Sequence, residues 1–346
     1  MSFPDDLLRP LPREEVVKAV ERRSPARIPL IQTKWWGEGF AALHGDALKR
    51  FDHYPDDAAF LWLQPVDIAR MQLSWESDGG GALDARRVID DWSRLDEFID
   101  ALPKADSDPQ FDQLARDAER LHRENRYIML AWWRLFFERP WGLRGMENLL
   151  MDYHIDPEHV HRLHEALCVQ YCAYLDRAAR ELQPDGFWTS DDFGHQSGAM
   201  ISAATFADLI APYYRRVGDL LHTRGMHWWL HSCGDNTELL PLLVDAGIDV
   251  FHPVQKGTMD PIRTAAMYGD RIAFCAGVDV QHVLPSCSAE QVRAEVRALI
   301  EIFDRLEGGM CIAAGNGILP GTPLDNIEAF LQEALLHGSS HRNTHH

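Results

Sequence analysis

The sequence predicts an α/β protein whose fold is a single (β/α)8 TIM barrel with an insertion after the second strand. Short apolar runs alternate with longer amphipathic segments. Several runs, such as YIMLAWW and IAFCAGV, are apolar almost throughout, as expected of parallel strands that are buried on both faces. The connecting segments carry helix-start signals, including the capping box formed by Ser288 and Gln291. A strand and then a helix, repeated eight times, indicates this barrel, with a doubly wound open sheet as the alternative.

Eight apolar runs account for the strands of the predicted barrel. They are Arg27–Trp36, Ala58–Pro65, Tyr127–Trp133, Gly186–Asp192, Met226–Gly234, Val250–Gln255, Ile272–Asp279 and Gly309–Asn316. We expect one domain over residues 1–338. The second connection is too long for a simple crossover, so residues 74–126 are predicted to be an insertion, either a lid or a β-hairpin, followed by a helix near Asp112–Glu124.

The chain ends in a polar segment with several histidines, HGSSHRNTHH. The last helix is predicted to end at Gly338, because a glycine commonly terminates a helix. Nothing in residues 339–346 can bury apolar surface, so we expect that tail to be disordered.

Composition and charge restrict the class of protein. Of 346 residues, 46% are hydrophobic and 25% are charged, as in an ordinary soluble globular protein. Because 34 Lys and Arg stand against 53 Asp and Glu, the net charge is −19, which disfavours nucleic acid and anionic membranes as partners. No apolar stretch approaches the ~20 residues of a membrane span, and the N-terminus does not resemble a signal peptide. Six cysteines without paired spacing indicate reduced thiols and a cytoplasmic location.

Polar residues follow all eight predicted strands, at the edge where barrels of this kind place their chemistry. They are Lys34, Asp67, Arg134, Asp191 with Asp192, His231 with Cys233, Gln255, Asp279 and Asn316. A polar residue at one strand end often only caps the next helix. Polar residues at every end indicate a functional site.

His231 and Cys233 form the sharpest local motif, in the segment HWWLHSCGD. Residues i and i+2 of a strand face the same side, so the imidazole and the thiolate could hold one metal ion. Zinc suits this pair of ligands. The alternative is a buried cysteine beside a histidine that is hydrogen-bonded to the backbone.

A pair of adjacent carboxylates, Asp191 and Asp192, lies in the segment WTSDDFGHQSG. Neighbouring strand residues point to opposite faces, so at most one of the two can point into a site. That aspartate could act as a general base, orient substrate or complete a metal shell. The alternative is that the pair caps the following loop. With Asp67, these aspartates are the candidate catalytic residues.

Three arginines, Arg134, Arg139 and Arg144, follow the third predicted strand within eleven residues. Basic residues are scarce in this chain, so their grouping points to an anion-binding loop in which arginine binds a carboxylate through two hydrogen bonds. The alternative is that they pair with surface acids.

Three further segments carry a family resemblance. HSCGDNTELLPLLVDAGIDVFHPVQ, GDRIAFCAGVDVQHVLP and GNGILPGTPLDNIEAFL resemble the uroporphyrinogen decarboxylase superfamily, which includes the methylcobamide:coenzyme M methyltransferases. The similarity is strongest from Gly186 to Leu336 and covers most of the chain. It implies a (β/α)8 barrel. The DDFGHQSG, FER and DVQHVLP motifs resemble those of an uncharacterised branch.

The sequence departs from the true decarboxylases of this superfamily at two places. Where they carry an arginine-bearing RQAGRY segment, this chain has QTKWWGEGF with Lys34, and their GHG turn is replaced by Gly315-Asn316-Gly317. Both departures, together with the acidic charge, disfavour a tetrapyrrole polycarboxylate as the substrate.

The resemblance to the zinc methyltransferases is closer but incomplete. His231 and Cys233 match their H-x-C motif, whereas Asn316 stands where they have a second cysteine. Asparagine is a poor zinc ligand. The residues that could replace that cysteine are Cys275, Cys311, Asp279 and Asp192.

The resemblance implies a zinc enzyme that transfers a methyl group between a methylated small molecule, or a corrinoid on a partner protein, and a thiol or corrinoid acceptor. The alternatives are metal-independent decarboxylation, assisted by Asp67 or Asp192, and a ligand-binding barrel without catalysis. The candidate substrate-binding residues are Lys34, Arg134, Arg139, Gln196, Gln255, Asp279 and Asn316. The oligomeric state, with a homodimer as one option, stays open.

Overall fold

The structure, a computed structural model, describes residues 4, 6–66, 87–305 and 307–343, which form a mixed α/β fold. Its α-helices are α1 (Arg13–Val20), α2 (Phe40–His44), α3 (Leu95–Ala101), α4 (Gln110–Arg123), α5 (Glu138–Arg144), α6 (Met146–Ile155), α7 (Pro157–Glu181), α8 (Ala203–Leu209), α9 (Ala211–Thr223), α10 (Leu240–Asp245), α11 (Pro261–Tyr268), α12 (Val283–Ser286), α13 (Ala289–Phe303) and α14 (Leu324–Asn343). Short 3-10 helices cover Gly45–Phe51, Trp92–Arg94 and Ala105–Ser107. None of the described helices is both long and apolar enough to cross a membrane.

The strands of the described residues divide between two compact units. They are β1 (Ala58–Trp62), β2 (Tyr127–Trp132), β3 (Gly186–Ser190), β4 (Gly194–His195), β5 (Gly198–Ala199), β6 (His227–His231), β7 (Val250–His252), β8 (Ala273–Val278) and β9 (Met310–Ala314). The central unit consists of Phe60–Arg120 and Met129–Ile248, and the terminal unit of Met1–Ala59, Leu121–Ile128 and Asp249–His346.

The central unit contains β3, β6 and most of β1 and β2, in the order β1, β2, β3 and β6. Strand β3 is parallel to both of its neighbours. The registers of β2 with β3 and of β3 with β6 place Trp132 opposite Thr189 and Ser190 opposite His231. Every residue of β2 and β3 is buried, which is why these runs contain so few polar residues. The parallel register brings the carboxyl ends of the three strands to one edge.

The terminal unit contains β7, β8 and β9, again parallel and in chain order. All residues of the three strands are buried. The predicted capping box is confirmed: Ser288 accepts from the N–H of Gln291, whose side chain accepts from the N–H of Ser288. It begins α13 at the expected place.

The first predicted strand, Arg27–Trp36, is wrong as a strand. The segment makes only isolated parallel bridges, at Leu30 and Trp36. The N–H of Leu30 donates to the buried carboxylate of Asp57 at 2.6 Å, and Gln32 has a left-handed φ of 48°, which interrupts extended backbone. The eightfold strand count therefore stays a prediction.

The other seven predicted strands are confirmed, and each ends earlier than the sequence pattern indicates. The predicted strand Gly186–Asp192 ends at Ser190, and Met226–Gly234 ends at His231. The polar residues that follow these strands therefore lie in loops, where their side chains and backbone can turn towards a shared site.

The last helix continues beyond its predicted end at Gly338, reaching Asn343. A Cβ on Gly338 would lie 3.3 Å from the side chain of Ile28, so this glycine permits close packing and does not terminate the helix. Residues 339–343 are thus helical, contrary to the prediction of disorder, and residues 344–346 lie outside the described residues.

The predicted insertion is described only from residue 87 onward. Its described part contains α3, α4 and two short 3-10 helices. Helix α4 confirms the predicted helix near Asp112–Glu124. Residues 74–86, where a lid or hairpin is predicted, lie outside the described residues.

Candidate metal centre

Three potential metal ligands meet at the carboxyl ends of β3 and β6, within the central unit. His231 is the last residue of β6, and Cys233 lies two residues further. Asp192 lies two residues beyond the end of β3. Because Ser190 is opposite His231 in the parallel register, the loop after β3 runs beside the loop after β6. This brings Asp192 next to the predicted pair of ligands.

The ligand atoms of Asp192, His231 and Cys233 all lie within 4.8 Å of one another. The Sγ of Cys233 is 3.4 Å from Nε2 of His231, and that nitrogen is 3.7 Å from Oδ1 of Asp192. His231 is only 3% exposed, whereas the other two side chains are half-buried. Among the described residues, this is the one group of three such ligands that is close enough to hold a metal ion.

Burial sets the protonation of this cluster. It lowers the pKa of His231 to about 3, so the imidazole is neutral at physiological pH. Burial also raises the pKa of Asp192 to about 6, against the hydrogen bond from the Cys233 N–H. The neutral imidazole is the form of histidine that binds a metal.

Two glycines hold the ligand-bearing loops together. Gly234 has a φ of 80°, and a Cβ at this position would overlap the carbonyl group of Gly194. Only glycine allows this conformation and this approach at low cost. The N–H of Asp235 donates to the His195 carbonyl at 2.8 Å, which joins the β6 loop to the hairpin of β4 and β5.

Asp191, a candidate catalytic residue, lies away from this cluster and is fully buried. Its carboxylate accepts the N–H groups of Phe136, Phe137 and Glu138 at 2.7–3.0 Å and the hydroxyl of Tyr214 at 2.9 Å. These four donors favour the ionised form, whereas burial raises the pKa of Asp191 to about 7. The side chain therefore holds the loop after β2, and not the loop that follows it, which was the alternative expected from the sequence.

Glu138 is part of the site and was not among the sequence candidates. Its Oε2 accepts the Ser190 hydroxyl at 2.6 Å, and the same hydroxyl accepts the N–H of Arg134 at 3.1 Å. Burial and the charge of Asp192 raise the pKa of Glu138 to about 7. Its place between arginines in the RLFFER segment was the available signal in the sequence.

The three arginines of the following loop separate into two environments. Arg144 is buried, pairs with Asp152 at 2.7 Å and stacks over Trp92, so it is structural. Arg134 and Arg139 are half-buried, and burial together with the charge of Arg139 lowers the pKa of Arg134. The Glu138 carboxyl acts on Arg134 in the opposite sense, so part of the negative charge that these guanidinium groups attract is already present.

Nε of Arg139 is buried and has no hydrogen-bond partner among the described residues. Another nitrogen of the same guanidinium, Nη2, donates to the Trp133 carbonyl at 3.3 Å. A buried donor without a partner costs free energy.

Four aromatic side chains form a wall beside the cluster, which we call the aromatic wall: Phe60, Trp62, Trp133 and Trp188. The ring of Trp133 meets His231 edge-on at 5.8 Å between centroids, and Trp62 lies 5.5 Å from Trp133. Phe60 contacts both Trp62 and Trp188. Trp62 is 41% exposed, unlike most large aromatic residues of this unit.

Several other sequence candidates lie in the terminal unit and make local contacts there. Lys34 donates to the Tyr54 carbonyl and pairs with Asp56, both at 2.8 Å. Gln255 donates to the side chain of Gln281 at 3.2 Å.

Asp279 and Asn316 also cap backbone in the terminal unit. Asp279 accepts the N–H groups of Gln281 and His282, and Asn316 accepts the N–H of Gly317 at 2.6 Å. These are the capping roles that strand-end polar residues commonly have.

The remaining candidates are placed as follows. Cys275 and Cys311 face each other in register within β8 and β9, where burial raises the pKa of Cys275 well above its usual range. Gln196 is exposed at the tip of the hairpin of β4 and β5. Asp67 lies outside the described residues.

Comparison with known proteins identifies the family. The sequence profile of the family described as uroporphyrinogen decarboxylase (URO-D) matches residues 141–335, more than half of the chain. The chain belongs to the uroporphyrinogen decarboxylase family. The matched region contains the three candidate ligands Asp192, His231 and Cys233, and it confirms the resemblance seen in the sequence.

One relative of this uroporphyrinogen decarboxylase family member is a methyltransferase. The chain is 27% identical over 190 residues to the methylated-thiol–coenzyme M methyltransferase of Methanosarcina mazei, covering 55% of this chain and 48% of that protein. It thus spans about half the length of that relative.

The solved structure of a methyltransferase from Methanosarcina mazei has a similar fold. It superimposes with a TM-score of 0.65 at 13% identity and covers 93% of this chain and 97% of the other. At this identity the match concerns the fold alone.

Proposed function

We propose that this protein is a zinc-dependent methyltransferase that moves a methyl group from a methylated small molecule, or from a corrinoid on a partner protein, to a thiol acceptor. The observation that carries the proposal is the convergence of Asp192, His231 and Cys233 within 4.8 Å. The 27% identity to a methyltransferase supports the choice of reaction.

The donor set fits zinc. One imidazole nitrogen, one thiolate and one carboxylate oxygen are ordinary zinc ligands, and three protein ligands leave a fourth position open, as in catalytic zinc sites. Asp192 takes the role for which the family resemblance expects a second cysteine at the position of Asn316. Zinc bound by these residues would hold the acceptor thiol and lower its pKa, so that it is a thiolate at neutral pH.

The residues around the cluster position the substrate in this proposal. Arg134 and Arg139 bind an anionic group, whose charge offsets the repulsion between the two guanidinium groups. The Ser190 hydroxyl donates to Glu138 and accepts from the N–H of Arg134, and these two hydrogen bonds hold the loop after β2 against the end of β3. The aromatic wall closes one side of the cluster to water.

The experiment measures methyl transfer directly. Purified protein is incubated with a thiol and with deuterated methyl donors, a methylcorrinoid among them, and the thioether product is detected by mass spectrometry. We expect a zinc-dependent product that is lost in Cys233→Ser and unaffected in Cys287→Ser, which changes a half-buried cysteine of the terminal unit. Product formation that survives both chelation and Cys233→Ser would refute the proposal.

Decarboxylation is the second candidate, and the Glu138 carboxyl favours it. With a pKa of about 7, Glu138 is partly protonated near neutrality and could donate a proton to a carbanion formed when carbon dioxide leaves. This function predicts carbon dioxide release that persists after zinc is removed and is lost in Glu138→Gln.

A further inference from the structure

The outermost ring of the aromatic wall, Trp62, is exposed beside a cluster of functional groups. Other tryptophans of the central unit, Trp132, Trp188, Trp228 and Trp229, are almost completely buried. The exposed 41% of this indole is apolar surface, and a ligand that covers it removes that surface from water. Trp133 connects this exposed ring to the ring of His231. A ligand that binds Trp62 therefore contacts the same row of rings that reaches the candidate metal ligand His231.

The charged groups beside the wall are of both signs, namely the carboxyl of Glu138 and the guanidinium groups of Arg134 and Arg139, and they suit a ligand that carries both charges. The preference for a cationic head comes from the indole rings. The face of an indole attracts cations, and Trp is the best residue for this interaction. A net charge of −19 over the protein also concentrates cations near its surface.

We propose that the aromatic wall binds a methylated onium centre, a quaternary ammonium or a sulfonium, as the methyl donor; this inference rests on the proposed function. Arg134 and Arg139 then bind the carboxylate at the other end of the same molecule. The substrate class is a betaine, a small zwitterion with a methylated cationic head. The aromatic part of this site and its basic part are adjacent in the sequence, because Trp133 is followed directly by Arg134.

The reaction balances without a further reactant. A lone pair on the acceptor thiolate sulfur forms the new bond to the methyl carbon, and the bond from that carbon to the onium nitrogen or sulfur breaks. Its electron pair stays on the leaving atom, which becomes a neutral amine or thioether. One negative and one positive charge disappear, and no proton or external electron is needed. A thioether product is neutral and loses its attraction to the wall, whereas an amine product takes up the proton that the acceptor thiol released and leaves as a hydrated ammonium ion.

The test compares two ligands of the same shape. Glycine betaine and 3,3-dimethylbutanoate share a carboxylate, but the cationic nitrogen of the first is a carbon atom in the second. Titration calorimetry on zinc-loaded and on chelator-treated protein gives both affinities. We expect glycine betaine to bind about tenfold more tightly, in the range that cation–π contacts provide.

Substitutions of Trp62 test whether this residue causes the difference in affinity between the two ligands. Trp62→Leu should remove the preference, whereas Trp62→Phe should keep most of it, since phenylalanine retains an aromatic face. Thermal unfolding confirms that both variants are folded. Equal affinity for the two ligands, tighter binding of 3,3-dimethylbutanoate, or an unchanged preference in Trp62→Leu would overturn the proposal. Tight binding of an aryl methyl ether with no binding of glycine betaine would also overturn it and assign the wall to a flat donor.

The outcome is separable from that of the proposed function. Onium binding is measured as an affinity and persists in chelator-treated protein, because the wall and the arginines do not depend on zinc. Loss of zinc-dependent methyl transfer with intact onium preference would refute the proposed function, and with it the donor role, while onium binding by the wall would stand. Methyl transfer from neutral donors, without onium preference, would refute only this inference.

Discussion

The backbone N–H of Cys233 donates a 2.7 Å hydrogen bond to Oδ1 of Asp192. Two of the three candidate metal ligands are thus joined directly, although 41 residues separate them in the sequence. The bond orients the carboxylate towards Nε2 of His231 and fixes the start of the loop that carries the thiol. The site is therefore preorganised by the fold, as effective metal and catalytic sites require.

Two substitutions of Asp192 distinguish the effect of its negative charge on zinc binding from the effect of its hydrogen bond to Cys233. Asp192→Asn keeps an oxygen that can accept from Cys233, but it removes the negative charge that favours a cation. We expect zinc affinity to fall at least about tenfold in Asp192→Asn, and further in Asp192→Ala, where the orienting bond is also lost. Competition with a chelator of known affinity measures both. Wild-type affinity in Asp192→Asn would remove this carboxylate from the metal site.

The neighbouring aspartate should behave differently. Asp191→Asn places an amide N–H₂ group against backbone donors and breaks a buried network, so we expect a loss of about 3 kcal/mol or more in unfolding free energy. Denaturant titration checks it. A stable Asp191→Asn variant with lowered activity would instead assign Asp191 to the chemistry.

The glycine contact between the two loops can be tested against a matched position. Gly234→Ala introduces both a strained φ and an overlap with Gly194, whereas Gly225→Ala introduces only the strain, since φ is 71° there and no atom lies within 4 Å of the new Cβ. We expect about 1 kcal/mol of destabilisation for Gly225→Ala and clearly more for Gly234→Ala. Zinc affinity should fall in Gly234→Ala alone; equal effects at the two positions would contradict the packing argument.

The burial of His164 is expected to make the folded protein less stable as the pH falls. Burial lowers its pKa from 6.5 to about 4, and Nδ1 lies 2.7 Å from the Leu209 carbonyl. Between these two pH values the unfolded chain binds a proton that the folded protein does not, so this group destabilises the fold as pH falls from 6.5 to 4. The contribution is up to about 3 kcal/mol.

The variant His164→Asn, which can still donate to the Leu209 carbonyl, should flatten the pH dependence of unfolding in that window. Denaturant titrations at pH 7 and pH 4.5 measure it. If the two proteins lose the same stability between these pH values, the titration belongs to another group.

The apolar runs predicted seven of the strands because parallel strands buried on both faces leave a strong local signal. The failure at Arg27–Trp36 has a non-local cause: Asp57, 27 residues from Leu30, takes the N–H that a strand would use. The predicted helix end at Gly338 failed for a similar reason. This glycine allows close packing against Ile28, a contact that the local sequence pattern does not reveal.

The part of the candidate site that follows from the alternation of side chains along a strand could be predicted from the sequence. The spacing of His231 and Cys233 identified that pair, and the alternation of Asp191 and Asp192 indicated that only one of them could join it. Which one depends on the loop after β2, whose N–H groups bind Asp191 from 53–55 residues away. Glu138 was missed for the same reason, because its partner Ser190 is 52 residues distant.

X-ray absorption at the zinc edge tests the central claim most directly. For the zinc-loaded protein it should report one sulfur ligand, together with nitrogen and oxygen ligands that include one imidazole. The sulfur signal should vanish in Cys233→Ser, and a second sulfur should appear when an acceptor thiol is added. Protein that binds no zinc, or a zinc shell that lacks sulfur and is unchanged in Cys233→Ser, would contradict the account.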